Sequence, residues 1–294
     1  MFIAGIDGGG TSTRLEIRDA DNSFIRRESF GAFNISAIGA DAFSARLDEV
    51  FAACGDMSGC AALCIGAAGL SLPQTERIIH RQLELAHFRG VLRLCGDHEI
   101  ALRGAITGAG GILIAGTGSI CCGVDENGRF ARVGGWGHLI DDGGSGYAIG
   151  RDALALTVRG EDGRAPRGAL HDTVLRRTGA ADARGIVEFT YHGASKAEVA
   201  ALAAEVLRLA AQGDAQSAAI LRREAEELRI MVSAFARELA IVQPRVALMG
   251  GLLAEENIYR ETVCAALSGT AQPVHPMHDA LWGAAQLAFE ALGE

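Results

Sequence analysis

Two short segments of this chain share one pattern: an apolar strand-like run, a glycine-rich turn bearing hydroxyl side chains, and a second strand-like run. The first turn is Asp7-Gly8-Gly9-Gly10-Thr11-Ser12-Thr13, and the second, about 110 residues further on, is Ala115-Gly116-Thr117-Gly118-Ser119. Glycine permits positive φ and a backbone approach that a Cβ would obstruct, so successive amides in such a turn can face an anion. Each turn alone reads equally well as an ordinary hairpin. Taken together, at corresponding strand ends, they predict a duplicated chain whose two half-domains hold one polyphosphate from opposite sides of a cleft.

The length of 294 residues fits that duplication, since domains run to roughly 150 residues and each half can bury its own core. An excess of nine negative charges argues against nucleic acid or an anionic membrane as partner and favours a small-molecule ligand. The apolar runs are far too short to span a bilayer and no basic segment precedes the apolar start at Phe2, so a soluble, cytoplasmic protein is expected. Seven cysteines, Cys54, Cys60, Cys64, Cys95, Cys121, Cys122 and Cys264, lie in or beside apolar stretches and read as reduced thiols. Of the 27 basic residues only Lys196 is lysine, and Ser195 rather than glycine precedes it. A Walker A loop and a protein-kinase Val-Ala-Ile-Lys strand are therefore both absent. Any nucleotide phosphates must be held by backbone amides, hydroxyls and a metal ion.

Periodicity predicts strands over 2–7, 13–19 and 22–29, a helix over 39–54, a strand over 61–66, a helix over 73–85, a strand over 91–96 and a helix over 98–106. The pattern then restarts with strands at 112–115 and 120–124. A mostly helical insertion follows over 150–242, with amphipathic runs at 196–211 and 214–241, then a strand at 245–249 and a closing helix from 279 to 292. Domains are expected at 1–108 and 109–278, with the 279–294 helix able to pack back on the first.

Asp7 ends a strand beside the first amide-rich turn. A carboxylate there would repel bare phosphate but bind Mg²⁺, and so favour a metal-complexed one. Gly250-Gly251, after the 245–249 strand, could let a flat base slide against backbone, or could be a plain turn. Asp97 follows the 91–95 strand and opens a helix. Its position suits either a catalytic base or a helix N-cap.

In order and spacing, Asp7-Gly-Gly-Gly-Thr11, Asp97, Ala115-Gly-Thr-Gly-Ser119 and Gly250-Gly251 resemble the phosphate-one, connect-one, phosphate-two and adenosine motifs of the actin, hexokinase and sugar-kinase ATPase superfamily. The run from Gly135-Trp136-Gly137 through Asp142-Gly143-Gly144-Ser145 resembles the Gly-Trp-Gly, Gly-Asp-Glu-Gly-Ser signature of N-acetylglucosamine kinases in the BadF/BadG/BcrA/BcrD ATPase family. It departs at Asp141, usually glycine, and at Gly143, usually glutamate. The resemblance implies an α/β fold of two ribonuclease H-like (actin-like ATPase) domains with an interdomain nucleotide cleft, an ATP- and Mg²⁺-dependent amino-sugar kinase, and a homodimer. It implies phosphate contacts at Gly8, Gly9, Gly10, Thr11, Ser12, Gly116, Thr117, Gly118 and Ser119, adenosine contacts at Gly250, Gly251 and Leu252, a metal ligand at Asp7 and a catalytic base at Asp97.

For the sugar, Asn34 offers a donor and an acceptor together, Trp136 an apolar ring and Asp142 hydroxyl acceptors, with Gly135 and Ser145 as weaker candidates. Turn capping or core packing is the plain alternative for each. The competing function is an ATP-driven activator that hands electrons to a dehydratase or reductase through an iron–sulfur cluster. Adjacent Cys121-Cys122 does not supply the cysteine spacing such a cluster needs.

Overall fold

The hairpin at the N-terminus sets the frame. In the computed structural model, which describes residues 1–293 apart from Ala68 and Ser71, β1 (Phe2–Gly8) pairs antiparallel with β2 (Thr13–Asp19), Gly8 opposite Thr13, and β2 with β3 (Phe24–Phe30). The third strand begins two residues later than its periodicity suggests. Asn22 sits at φ 65°, and the Asp19 carboxylate accepts from the amides of Asp21 and Ser23, so 19–23 is a tight turn. After α1 (Ile35–Ile38) and α2 (Ala40–Cys54), β4 (Cys60–Ala67) adds parallel to β1. Beyond α3 (Pro73–Leu85), β5 (Val91–Cys95) adds parallel to β4, and α4 (Asp97–Ala105) follows. The sheet order is β3-β2-β1-β4-β5.

The same order is then repeated. Strands β6 (Gly110–Ala115), β7 (Ser119–Val124) and β8 (Phe130–Gly134) form a second antiparallel meander. Five helices follow: α5 (Gly146–Glu161), α6 (Ala169–Thr178), α7 (Ala183–His192), α8 (Lys196–Ala211) and α9 (Ala215–Glu238). Strand β9 (Arg245–Met249) then pairs parallel with β6, α10 (Ile258–Ala266) follows, and β10 (Gln272–Val274) pairs parallel with β9. The order β10-β9-β6-β7-β8 maps strand for strand onto the first sheet. In both, the glycine turn joins the first two strands. The helices α5 to α9 occupy the crossover that α1 and α2 fill in the first unit.

Contacts divide the chain into Met1–Thr107 with Pro276–Glu294, and Gly108–His275. The closing helix α11 (Ala280–Glu290) belongs to the first unit. A Cβ on Gly5 of β1 would overlap the Ala285 backbone, and one on Gly283 would overlap Ile100 of α4, so small residues bring helix, strand and helix into close contact. Strand β1 is covered on both faces. Ile3 packs with Ile100 and Ala284, while Ala4 and Ile6 pack with Phe43, Leu47 and Leu63, which explains its unbroken apolar sequence. The second unit has one core, running from Leu113 and Val246 to Phe235 and Tyr259. Among the described residues no helix is long and apolar enough to cross a membrane.

Candidate active site

The first glycine turn is built around Phe33. A Cβ on Gly8 would overlap the Phe33 ring and come within 2.9 Å of the Ala67 Cβ, so glycine is required there for close approach. Positive φ, the other expected use of these glycines, does not occur at Gly8, Gly9 or Gly10. Phe33 is held in turn by Phe43, edge to face at 4.8 Å. The Gly9 amide donates to the Ser12 carbonyl at 2.8 Å and the Phe33 amide to the Gly9 carbonyl at 3.0 Å, which closes the turn and ties Asn34 beside it. Gly10, Thr11 and Ser12 are exposed, and their amides make no hydrogen bond among the described residues. Three donors are thus on offer to an anion, while the Gly9 amide serves the turn itself.

Register fixes what stands beside that turn. Asp7 pairs across to Gly66, and Gly66 to Cys95, so Asp97, two residues past Cys95, lies at the same end of the sheet. Two strand spacings put Cys95 about 10 Å from Asp7, with Asp97 just beyond it. Asp7 accepts two hydrogen bonds from Arg14, from Nε at 3.2 Å and Nη2 at 2.5 Å, both on Oδ2, while Arg14 Nη1 reaches Asp279 at 3.1 Å. Both Arg14 bonds fall on Oδ2, so the carboxylate keeps Oδ1, a donor set that would fit a magnesium ion held through one carboxylate, its own waters and phosphate oxygens.

Asp97 is the first helical residue of α4; the N-cap is Gly96, whose amide donates to the Glu99 carboxylate at 2.9 Å. The helix is therefore capped without Asp97, whose side chain is 60% exposed. Its Oδ1 accepts from the His98 amide at 2.9 Å and lies 3.5 Å from His98 Nδ1. Hydrogen bonding with His98 holds the Asp97 carboxyl below the usual carboxylate range. At neutral pH it is ionised and able to accept a proton.

In the second unit, Gly116, Thr117, Gly118 and Ser119 form the equivalent turn, the Gly116 amide donating to the Gly118 carbonyl at 2.9 Å. Thr117 is exposed and makes its hydroxyl and amide available. Ser119 departs from its expected role: it is buried and its hydroxyl donates to the Gly143 carbonyl at 2.7 Å. Gly250 takes φ 87°, where a Cβ would overlap the Ala115 carbonyl, and the Leu252 amide donates to that carbonyl at 3.1 Å. Residues 250–252 are thereby fastened to the second glycine turn.

The Gly-Trp-Gly segment divides. Trp136 is 66% exposed, with the Arg132 guanidinium 4.8 Å from its ring centroid, and Gly135, at φ 75°, gives its carbonyl to Arg132. A cavity of about 420 Å³ runs beside it, lined by Trp136, Ile140, Asp141, Glu227 and Met231 among others. Asp141, where the family usually has glycine, accepts from the Trp136 amide at 3.2 Å. At the other departure, Gly143, the side-chain space faces Glu227 of α9, with the Glu227 Cβ 3.1 Å from where a Cβ would stand. Ser145 also departs from its expected role: it is fully buried as the N-cap of α5, its hydroxyl accepting from the Ala148 amide. Asp142, 3% exposed and at φ 62°, pairs with Lys196 at 2.8 Å.

Sequence reasoning missed the supports of this segment. Glu224 accepts from the Gly144 amide at 2.7 Å, the Tyr259 hydroxyl donates to the Gly144 carbonyl at 2.8 Å, and Arg260 donates to the Leu253 carbonyl. Glu224 and Tyr259 reach Gly144 from helices distant in sequence, whereas Arg260 braces the loop after β9 from the helix that follows it; all three are buried, and only burial identifies them. The cysteines of the competing reading are enclosed: Cys121 and Cys122 are fully buried in β7, and burial raises the Cys121 thiol well above its ordinary range. His278 stacks on Trp282, with ring centroids 4.0 Å apart.

The model of the BadF/BadG/BcrA/BcrD ATPase family matches residues 4–288. An N-acetylmuramic acid/N-acetylglucosamine kinase of Clostridium acetobutylicum is 33% identical over 265 residues, 87% of each chain. A glucosamine kinase of Vibrio cholerae is 30% identical over 59% of this chain and 60% of its own. Among solved structures, one provisionally named as an N-acetylglucosamine kinase, from Chromobacterium violaceum, superposes with a TM-score of 0.76 at 28% identity over 98% of both chains. A ROK family glucokinase of Streptomyces griseus, solved with glucose and AMPPNP, shares the fold, with a TM-score of 0.59 at 17% identity over 99% of this chain and 100% of its own.

Proposed function

The chain belongs to the BadF/BadG/BcrA/BcrD ATPase family, and from that premise we propose that it is an ATP-dependent kinase of amino sugars, with N-acetylglucosamine as first acceptor and glucosamine as second. The amides of Gly10, Thr11 and Ser12 and those of Thr117 and Gly118 hold phosphate oxygens of one nucleotide, and the backbone of Gly250, Gly251 and Leu252 receives its adenine. Asp97 orients the acceptor hydroxyl and takes its proton as the γ-phosphoryl group is transferred. Magnesium, when bound, supplies charge neutralisation between phosphate oxygens, and Asp7 is the carboxylate assigned to it. Asn34, Trp136 and Gly135 are the sugar contacts; Asp142 serves the second phosphate turn. The protein works as a cytoplasmic homodimer, the state the family resemblance implies.

One observation carries this reading: an exposed, ionised Asp97, not needed as a helix cap, at the sheet end shared with the amides of the first phosphate turn. Kinases of the same amino sugars among the relatives support the acceptor class. The test is ADP release measured with N-acetylglucosamine, glucosamine, glucose, N-acetylmannosamine and N-acetylmuramic acid in turn. Acceptor-dependent turnover, greatest with N-acetylglucosamine, is expected. ATP hydrolysis indifferent to every sugar would refute it.

A further inference from the structure

Lys196 is an anomaly in a chain that otherwise uses arginine for every basic side chain. It is the first residue of α8, where the helix dipole disfavours a cation. The neighbouring Glu198 carboxylate is engaged elsewhere, by the amide and hydroxyl of Ser195 at 2.7 Å each. What holds the ammonium is Asp142, whose Oδ2 accepts from Nζ at 2.8 Å.

The ion pair lies directly on the second phosphate turn. A Cβ on Gly118 would come within 2.9 Å of Asp142 Oδ2 and 3.2 Å of Lys196 Nζ. The two partners differ in exposure: the Asp142 side chain is 4% exposed and that of Lys196 34%. An ammonium has three N–H donors, and Lys196 makes this one hydrogen bond among the described residues. The turn itself contributes amides and a hydroxyl, which are directional but uncharged. An unpaired Asp142 behind Gly118 would repel a polyphosphate.

We infer that Lys196 is the charged member of the second phosphate turn: held over Gly118 by Asp142, its ammonium binds a non-bridging phosphate oxygen of the nucleotide. The inference rests on the kinase reading above and adds to it a residue outside every motif of the resemblance. Lysine suits the place because a compact ammonium can serve a carboxylate on one side and a phosphate on another, which the planar fork of arginine does less readily. A counter-ion that merely neutralises Asp142 would behave differently, and the lone lysine makes the difference measurable.

Biosynthetic incorporation of ¹³C,¹⁵N-lysine labels Lys196 alone and leaves its three N–H donors intact. AMPPNP with Mg²⁺ is then titrated into the labelled protein, with the Lys196 ¹³Cε and ¹⁵Nζ resonances followed by NMR and binding measured in parallel by calorimetry. The Lys196 resonance is expected to shift and saturate with the calorimetric Kd. Lys196→Gln is expected to weaken AMPPNP binding tenfold or more, and the double variant Lys196→Gln with Asp142→Asn, which leaves no unpaired buried carboxylate, is expected to stay as weak. Nucleotide binding that leaves the Lys196 resonance in place would overturn the inference while sparing the kinase reading, as would a Lys196→Gln protein that loses Tm but keeps its Kd. No nucleotide binding to the parent protein at all would overturn both. Should Lys196→Gln fail to fold, the labelled parent decides alone.

Discussion

Replacing Asp97 by asparagine separates chemistry from architecture. The helix α4 is capped by Gly96 and Glu99, and Asp97 contributes to the fold only an exposed acceptor for the His98 amide, a bond that the asparagine oxygen can also make. Exposed sites of this kind shift stability by no more than about 0.5 kcal/mol. A positioned base is worth on the order of 10² to 10⁴ in rate, so a loss of about 10³ in kcat, or roughly 4 kcal/mol of barrier, is expected. The KM for both substrates should change little, because the proton moves only in the transition state. The same carboxyl sets the pH profile. Its pKa is lowered in the folded protein, so the ionised base persists down through the ordinary carboxylate range and is lost only as pH falls through that lowered value. Activity should therefore show no acid limb owed to Asp97 between about pH 5 and pH 7. The assay is coupled ADP release from pH 5 to 8, with thermal unfolding of parent and variant alongside. A variant that retains kcat within tenfold, or that loses Tm in proportion to its activity, would refute the assignment.

Three further substitutions or probes follow from the packing. Gly8→Ala drives a methyl group into Phe33 and should cost about 1–3 kcal/mol, read as a fall in Tm together with weaker nucleotide binding. Tyr259→Phe leaves the buried Gly144 carbonyl without its partner and should cost about 1–3 kcal/mol in chemical denaturation, with unaltered m-value. Burial pushes the Cys54 and Cys60 thiols up to about 12, so at pH 8 a disulfide exchange reagent should titrate the half-buried Cys264 first and the rest only on unfolding.

The duplication could be read from two glycine turns because each is a local device: a hairpin tip needs small residues whatever surrounds it. The strand-for-strand match of the two sheets extends that reading to the whole core. Elements whose signals are weak locally escaped it. Strand β10 is three residues long and contains Pro273, which an edge position tolerates, and β8 mixes Arg132 among its apolar residues. The roles of individual polar side chains were less legible still. Ser119 and Ser145 look alike as hydroxyls beside glycine, yet burial turns one into a brace for the Gly143 carbonyl and the other into a helix cap. Asp142 could be recognised as a motif residue, but its partner Lys196 lies 54 positions away and is brought to it only by α8.

Hydrogen exchange with and without AMPPNP and Mg²⁺ tests most directly whether one nucleotide engages both glycine turns. Slowed exchange in residues 10–12 and 117–118 together, with one shared concentration dependence, is predicted. Protection confined to one turn, or two turns responding with different affinities, would contradict a polyphosphate held by both.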